Sequence, residues 1–470
     1  MRLTLSTIVL LTLGVIVAGG AAALERIRPV SEVIARAAPL PVFGEPRVSA
    51  SGRALPVDPV ELRLTRGGEE EVVIRREGRG WHQVKPFAHP METGAIEGIL
   101  QIAAATRAVG RIAAAQVDER ALGFDPPHAV MSLRGADDQE VTIRFGTRGL
   151  AGRAFLRVDD SRDVLVTEAS LHETALVANP ADWRDRRVFH YAGADSQEIT
   201  IRSGEMLIHL EREGRRWNMR SPAPSRTNEP MIDRLLEDIG RARSRGFIVD
   251  QPEDLARFGL ESPAGEITIR SRRLVAAHGR TEAETESVTE RIRIGARMGA
   301  STQDRFGIIE GRSVVVRIPE SVLRGFFRSP LDFVAMNATD VARADVRSVT
   351  IRPFDGSGPF ELERDLDDWR DAASGEPVDA RTVEQLLVTL SDVQATSVEL
   401  SPWPRERDTA IITLSGWSGH PIATIRVARL EGRANAPGPW IMDNGDNILR
   451  VHTAMLELPL AREAFQPRTR

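Results

Sequence analysis

The six residues REGRGW at 76–81 return almost unchanged as REGRRW at 212–217. A chain that writes so specific a stretch twice is constrained to build one supersecondary unit more than once. Upstream of each copy lies an alternating segment, ELRLTRG at 61–67 and EITIRSG at 198–204, with Leu62 and Leu64 or Ile199 and Ile201 on one side. That is the period of a half-buried strand. A second strand follows each time, EEVVIRREGRGW or EMLIHLEREGRRW, with a hairpin turn at Glu77–Gly78 or Glu213–Gly214 and the tryptophan opening the next strand.

The order continues beyond the tryptophans. Pro86 follows Trp81 as Pro222 follows Trp217, and a helical stretch comes next. Ile96, Ile99, Leu100 and Ala103 share one face of the first helix, and Ile232, Leu235, Leu236 and Ile239 one face of the second. Asn228, with Glu229 and Pro230 behind it, is the expected N-cap and first turn. LGFDPP (122–127) then matches FGLESP (258–263), and IRFG (143–146) matches IRIG (292–295). The stretch RRLVAAHGRTEAETESVTER lengthens a loop in the second copy alone.

A third copy is more diverged. It has SVTIRPF (348–354), then FELERDLDDW (360–369) ending on Trp369, then a helix in DARTVEQLLVTLSDV (379–393). Asp379 is its expected cap, and Val383, Leu386, Leu387 and Leu390 are its buried face. The junctions NPADWRDRRVFHYA and SPLDFVAMNATDVA align without gaps, Pro180 on Pro330 and Asp182 on Asp332. The fold class read from this pattern is α+β: tandem repeats of antiparallel strands with a packed helix, preceded by one transmembrane helix. The expected divisions are an anchor at 3–24, a stalk at 25–58 with a short helix over Ser31–Ala37, and repeats at 59–189, 190–338 and 339–463. Each tryptophan is expected to be buried beneath its own helix, since packing is the common fate of aromatics in alternating strands.

The anchor is Leu3–Leu24, 22 residues without a charge, enough to cross the hydrocarbon core as a helix. A cleaved signal peptide is the competing reading, because AGGAAAL offers small residues at cleavage positions. The apolar run exceeds the usual signal length, which favours the anchor. The expected location is the inner membrane, single-pass, with the bulk in the periplasm or extracytoplasmic space.

With 470 residues the chain expects two to four domains. Its 62 basic and 67 acidic residues nearly cancel, and Lys85 is the only lysine. No block of like charge and no nucleic-acid motif appears, which argues against nucleic-acid binding. The absence of cysteine excludes thiol catalysis, disulfides and cysteine-based metal sites. The nine histidines show no HExxH or other tight ligand spacing. His82 and His89 flank Lys85, a conceivable metal pair that reads better as turn or surface histidines. DLDDW (365–369) and DNGDN (443–447) concentrate oxygen ligands, but neither has the spacing of a calcium loop, and both read as hairpin turns. There is no GxSxG, P-loop or GxGxxG. No catalytic, cofactor-binding or metal residue is therefore assigned, and no cofactor is implied.

The N-terminal span, the Trp-plus-proline after a charged turn, LGFDPP, IRFG and the strand pair AFLRVDDSRDVLVTEASL together resemble the bacterial domain-of-unknown-function family 4340. The resemblance is best over 60–190 and extends through the repeats. It implies a single-span envelope protein, some relatives being encoded near gliding-motility or auxiliary ABC-transporter components. It carries no catalytic motif. Three functions stay open: a non-enzymatic envelope module presenting its repeats to a transporter subunit or other envelope partner; a hydrolase of envelope material using carboxylates in an inter-repeat cleft; and a solute-binding subunit of a transporter.

Overall fold

The computed structural model describes residues 39–45, 47–149, 152–275, 284–366, 368–432 and 437–467. The expected anchor at 3–24 and the helix over Ser31–Ala37 lie outside them. Among the described residues, no helix is long and apolar enough to cross a membrane.

Strands hold 44% of the described residues and helices 19%. The expectation of an α+β chain is thereby corrected: the architecture is mostly antiparallel β, in three sheets. The physical reason is visible in the pattern itself. Helical periodicity occupies one short segment per copy, while the other patterned segments alternate with period two and enter the sheets.

The first sheet contains β1 (Leu40–Pro41), β2 (Pro59–Arg66), β3 (Val72–Glu77), β4 (Gly80–Lys85), β5 (His89–Met91), β6 (Arg107–Ile112), β7 (Ala129–Gly135), β8 (Glu140–Arg148), β9 (Arg153–Val158) and β10 (Val164–Glu168), in the order β1-β6-β10-β9-β8-β7-β2-β3-β4-β5. The second contains β11 (Ser196–Ser203), β12 (Met206–Glu213), β13 (Arg216–Ser221), β14 (Ser225–Arg226), β15 (Gly246–Asp250), β16 (Gly265–Val275), β17 (Glu284–Arg297), β18 (Arg305–Ile309) and β19 (Val314–Ile318), in the order β14-β13-β12-β11-β16-β17-β18-β19-β15. The third contains β20 (Val346–Pro353), β21 (Phe360–Asp365), β22 (Asp368–Asp371), β23 (Ser397–Glu399), β24 (Asp408–Gly416), β25 (Pro421–Glu431), β26 (Pro437–Asp443) and β27 (Leu449–His452), in the order β22-β21-β20-β24-β25-β26-β27-β23. The three paths superimpose strand for strand. Beyond the shared path, only β1 is added at one edge, and the third sheet lacks the short strand that flanks the tryptophan strand in the other two.

One helix of 12 or 13 residues belongs to each sheet: α1 (Thr93–Ala105), α2 (Glu229–Arg241) and α3 (Ala380–Ser391). Ile96, Ile99 and Ala103 are buried on α1, Ile232, Leu235 and Ile239 on α2, and Val383, Leu386, Leu387 and Leu390 on α3. Trp81 shares a core with the α1 face, and Trp369 shares one with the α3 face. Trp81, Trp217 and Trp369 are all buried at the start of the same strand of their sheets.

The three helices are also seated in one way. The backbone N–H at each N-cap donates to the carbonyl of an aromatic residue in a later 3-10 turn: Glu92 to Trp183, Asn228 to Phe333 and Asp379 to Phe465, at 2.7, 2.8 and 2.7 Å. All three aromatics are buried. Asn228 is the N-cap as its sequence position suggests, but its side chain makes no capping bond. Asp379 does cap, accepting from the Arg381 N–H.

Packing begins before residue 59. Leu40 and Pro41 pair with Ala108 and Arg107, and Val42 is fully buried against the first sheet's core. This part of the stretch expected as a stalk is built into the sheet. The chain divides into two compact units. One holds the described residues up to Arg186 with Val249–Pro252 and Gly311–Val314, and the other holds Arg187–Ile248, Glu253–Glu310 and Val315 onward.

Candidate binding cleft

Within the second unit, the segment that leaves the second sheet becomes part of both its neighbours. Phe333 clasps α2, Val334 bridges Thr227, and the Ala335 N–H donates to the Arg226 carbonyl at 2.9 Å. On the other side, the Ala395 N–H donates to the Met336 carbonyl, and the Thr339 N–H to the carbonyl of Leu390 on α3. Arg450, fully buried on β27, fixes the segment from below. Its Nε–H donates to the Ala335 carbonyl at 2.9 Å, while its other nitrogens hold the Asp446 carboxylate at 2.7 and 3.0 Å. Such a buried cation is tolerable only because a carboxylate and carbonyls surround it.

This segment floors a cleft. One recess, of about 480 Å³, is walled by Arg216, Trp217 and Asn218 of β13, by the first turn of α2 (Asn228, Glu229, Pro230), and by Ser391, Asp392 and Gln394 after α3. A second, of about 390 Å³, shares Asn218, Arg226 and Asp340 with the first and runs on to Ser225, Thr424 and Asn444. The side chains common to both stand at the divide. Asp340 takes an ion pair from Arg216 at 2.6 Å and another from Arg226 at 3.8 Å. Arg226 also donates to the Asn337 carbonyl at 2.7 Å. Burial and the like charge of Arg450 hold the Arg226 guanidinium below its usual range, and Asp340 opposes them. An arginine so displaced remains a cation. The hydroxyl of Ser225, itself buried, has no hydrogen-bond partner on the wall of the second recess.

The cleft is lined mainly by polar side chains. Its acid at the divide is neutralised by two guanidiniums, its amides and hydroxyls offer both donors and acceptors, and Trp217 and Met336 add limited apolar surface. The structure separates the residues weighed as ligands in the sequence. His89 pairs with Gln83 on the buried face, whereas His82 lies on the opposite face of β4, with its Nδ1 3.7 Å from Glu77. Asp365 and Asp368 face each other across the β21–β22 hairpin. In DNGDN, Asp443 accepts from the Gly445 N–H and Asp446 is committed to Arg450. Among the described residues, no group of His, Asp and Glu is arranged to hold a metal ion. In the sequence the cleft residues read only as structural: Arg216 and Trp217 in the repeated REGRRW, Asn228–Pro230 as a helix start, Asn444 and Asp446 in a hairpin turn, and Asn337 and Asp340 in the ungapped junction.

The same geometry explains the paired short motifs. Gly146 of IRFG lies under the LGFDPP turn, where a β-carbon would sit 2.2 Å from the Leu122 carbonyl; Gly295 of IRIG meets the Phe258 carbonyl at the same 2.2 Å. Gly123 and Gly259 in those turns are left-handed, with φ of 72° and 67°. The third copy has Ala428 at the corresponding place, in IRVA, and lacks the turn.

These are the segments that a family model recognises. The model described as a domain of unknown function, DUF4340, matches residues 81–250 and again 217–410. The chain belongs to the DUF4340 family. Both DUF4340 matches begin at the repeated tryptophan, Trp81 or Trp217, so the family unit and the structural repeat share their starting point. No curated protein and no solved structure matches the chain.

Proposed function

We propose that this protein is a non-enzymatic envelope module that binds a polar segment of a partner in the cleft between its second and third sheets. The observation that carries the reading is Asp340 held between Arg216 and Arg226 at the divide of two polar recesses. A carboxylate fixed in this way is a poor general acid or base but a good element of a hydrogen-bonding surface. The uncharged run Leu3–Leu24 supports delivery to the inner membrane, with the folded residues in the periplasm or extracytoplasmic space. The partner we propose is an envelope protein, such as a subunit of an ABC-type transport or motility complex.

Photo-crosslinking in the native envelope tests this. A benzoylphenylalanine at Gln394, exposed on the cleft wall, is expected to give one discrete adduct that Arg226→Glu abolishes. The same probe at Glu253, outside the cleft, is expected to give none. Equal labelling from both positions, or an adduct indifferent to Arg226→Glu, overturns the reading.

A further inference from the structure

The loop extension peculiar to the second copy builds a site of its own. The β16–β17 ladder runs from Gly265 opposite Ile294 to Val275 opposite Glu284, whereas β7–β8 runs only from Ala129 opposite Phe145 to Arg134 opposite Glu140. The neighbouring β11 pairs with β16 no further than Ser271. The base of the β16–β17 hairpin is anchored. The Glu290 carboxylate accepts the backbone N–H groups of His190, Tyr191 and Ala192 at 2.6, 2.9 and 3.1 Å, and Arg273 lies over the Tyr191 ring.

Between this hairpin and β12 lies a recess of about 350 Å³, lined by Gln197, Glu211, Arg212, Arg270, Arg272, Thr285 and Ser287. Its charges do not balance. Glu198 serves Arg270 at 2.6 Å, and Glu211 is engaged by Arg220 at 2.9 Å. Arg212 and Arg272 meet no carboxylate among the described residues. Arg212 donates to the Ala194 carbonyl at 2.6 Å, and its Nε–H is buried with no acceptor. A buried donor of this kind is costly unless something accepts from it. Two uncompensated guanidiniums beside two hydroxyls suit a dianion with several oxygens better than a single carboxylate. We propose that this recess binds a phosphate group, carried either by a soluble molecule or by a lipid headgroup. The site is separate from the inter-sheet cleft and stands or falls independently of it.

The test titrates the full chain with inorganic phosphate at constant ionic strength, followed by calorimetry and thermal shift. Saturable binding is expected. Arg272→Gln, a change at an exposed side chain, should weaken it about tenfold or more. Arg324→Gln, at an exposed side chain outside both recesses, should leave it unchanged, and Ser287→Ala should weaken it less than Arg272→Gln. Sedimentation with phosphatidylcholine vesicles containing phosphatidic acid assigns the headgroup source; binding of a sugar phosphate without sedimentation assigns the soluble one. A thermal shift reproduced by chloride, phosphate affinity unchanged in Arg272→Gln, or no binding in any arm overturns the proposal.

Discussion

At the scale of single residues, the histidines carry a consequence for stability. Burial pushes His89, His172 and His452 down to about 4, and for His452 the neighbouring Arg450 adds to the effect. In the unfolded chain each would titrate near its ordinary value of about 6.5. The folded state therefore binds fewer protons between these limits. The stabilising contribution is complete above about pH 6.5, is lost as pH falls through about 4, and changes no further below that. Unfolding free energies from urea titrations between pH 7 and 4.5 are expected to fall, by about 1.4 kcal/mol per pH unit for each proton taken up on unfolding. His452→Leu should make that dependence shallower; an unchanged slope would show that His452 does not take part. None of this was readable from the sequence, where the nine histidines looked alike. Burial is a property of the assembled sheet. The tryptophans were readable because their strand, turn and helix are neighbours along the chain.

At the scale of elements, periodicity revealed the helices and their buried faces, and it also placed Asp379 correctly as a cap. It overestimated Asn228, whose side chain does not cap. Asp379→Ala should cost about 1 kcal/mol, and Asn228→Ala distinctly less. Denaturant midpoints with matching slopes will separate the two. The motif pair LGFDPP and IRFG was legible as a repeat, but its reason was steric and came only with the structure. Gly295→Ala is expected to destabilise by about 1–3 kcal/mol, since the added methyl meets a backbone carbonyl that cannot step aside. At Ala428, which is fully buried, the reverse change to Gly removes a buried methyl as well as loosening the strand and should cost about 1–2 kcal/mol. No loss of stability in Gly295→Ala would remove the steric explanation.

At the scale of the whole molecule, the repeat was legible and its class was not. A packed helix in each copy suggested an α+β chain, yet the described residues are mostly antiparallel strand. The inter-sheet cleft was invisible for another reason: its walls come from β13, α2, the segment around Asn337 and the end of α3, and no local pattern links them. Since Trp81 and Trp217 belong to different compact units, thermal unfolding should resolve into two transitions, with the calorimetric enthalpy exceeding the van't Hoff value. Trp81→Ala is expected to lower one transition and Trp217→Ala the other, each by about 3–5 kcal/mol. A single transition shifted equally by both would show one cooperative body.

The aromatic clasp on each helix has a bearing on biosynthesis. Trp183, Phe333 and Phe465 all lie far downstream of the N-caps they engage. A polypeptide synthesised from its N-terminus must release the next junction before the preceding helix can be locked, and the third helix waits for Phe465. Each module thus stays open until its clasping aromatic has been synthesised, and a stop codon placed just before Arg462 would leave the third one without its closure.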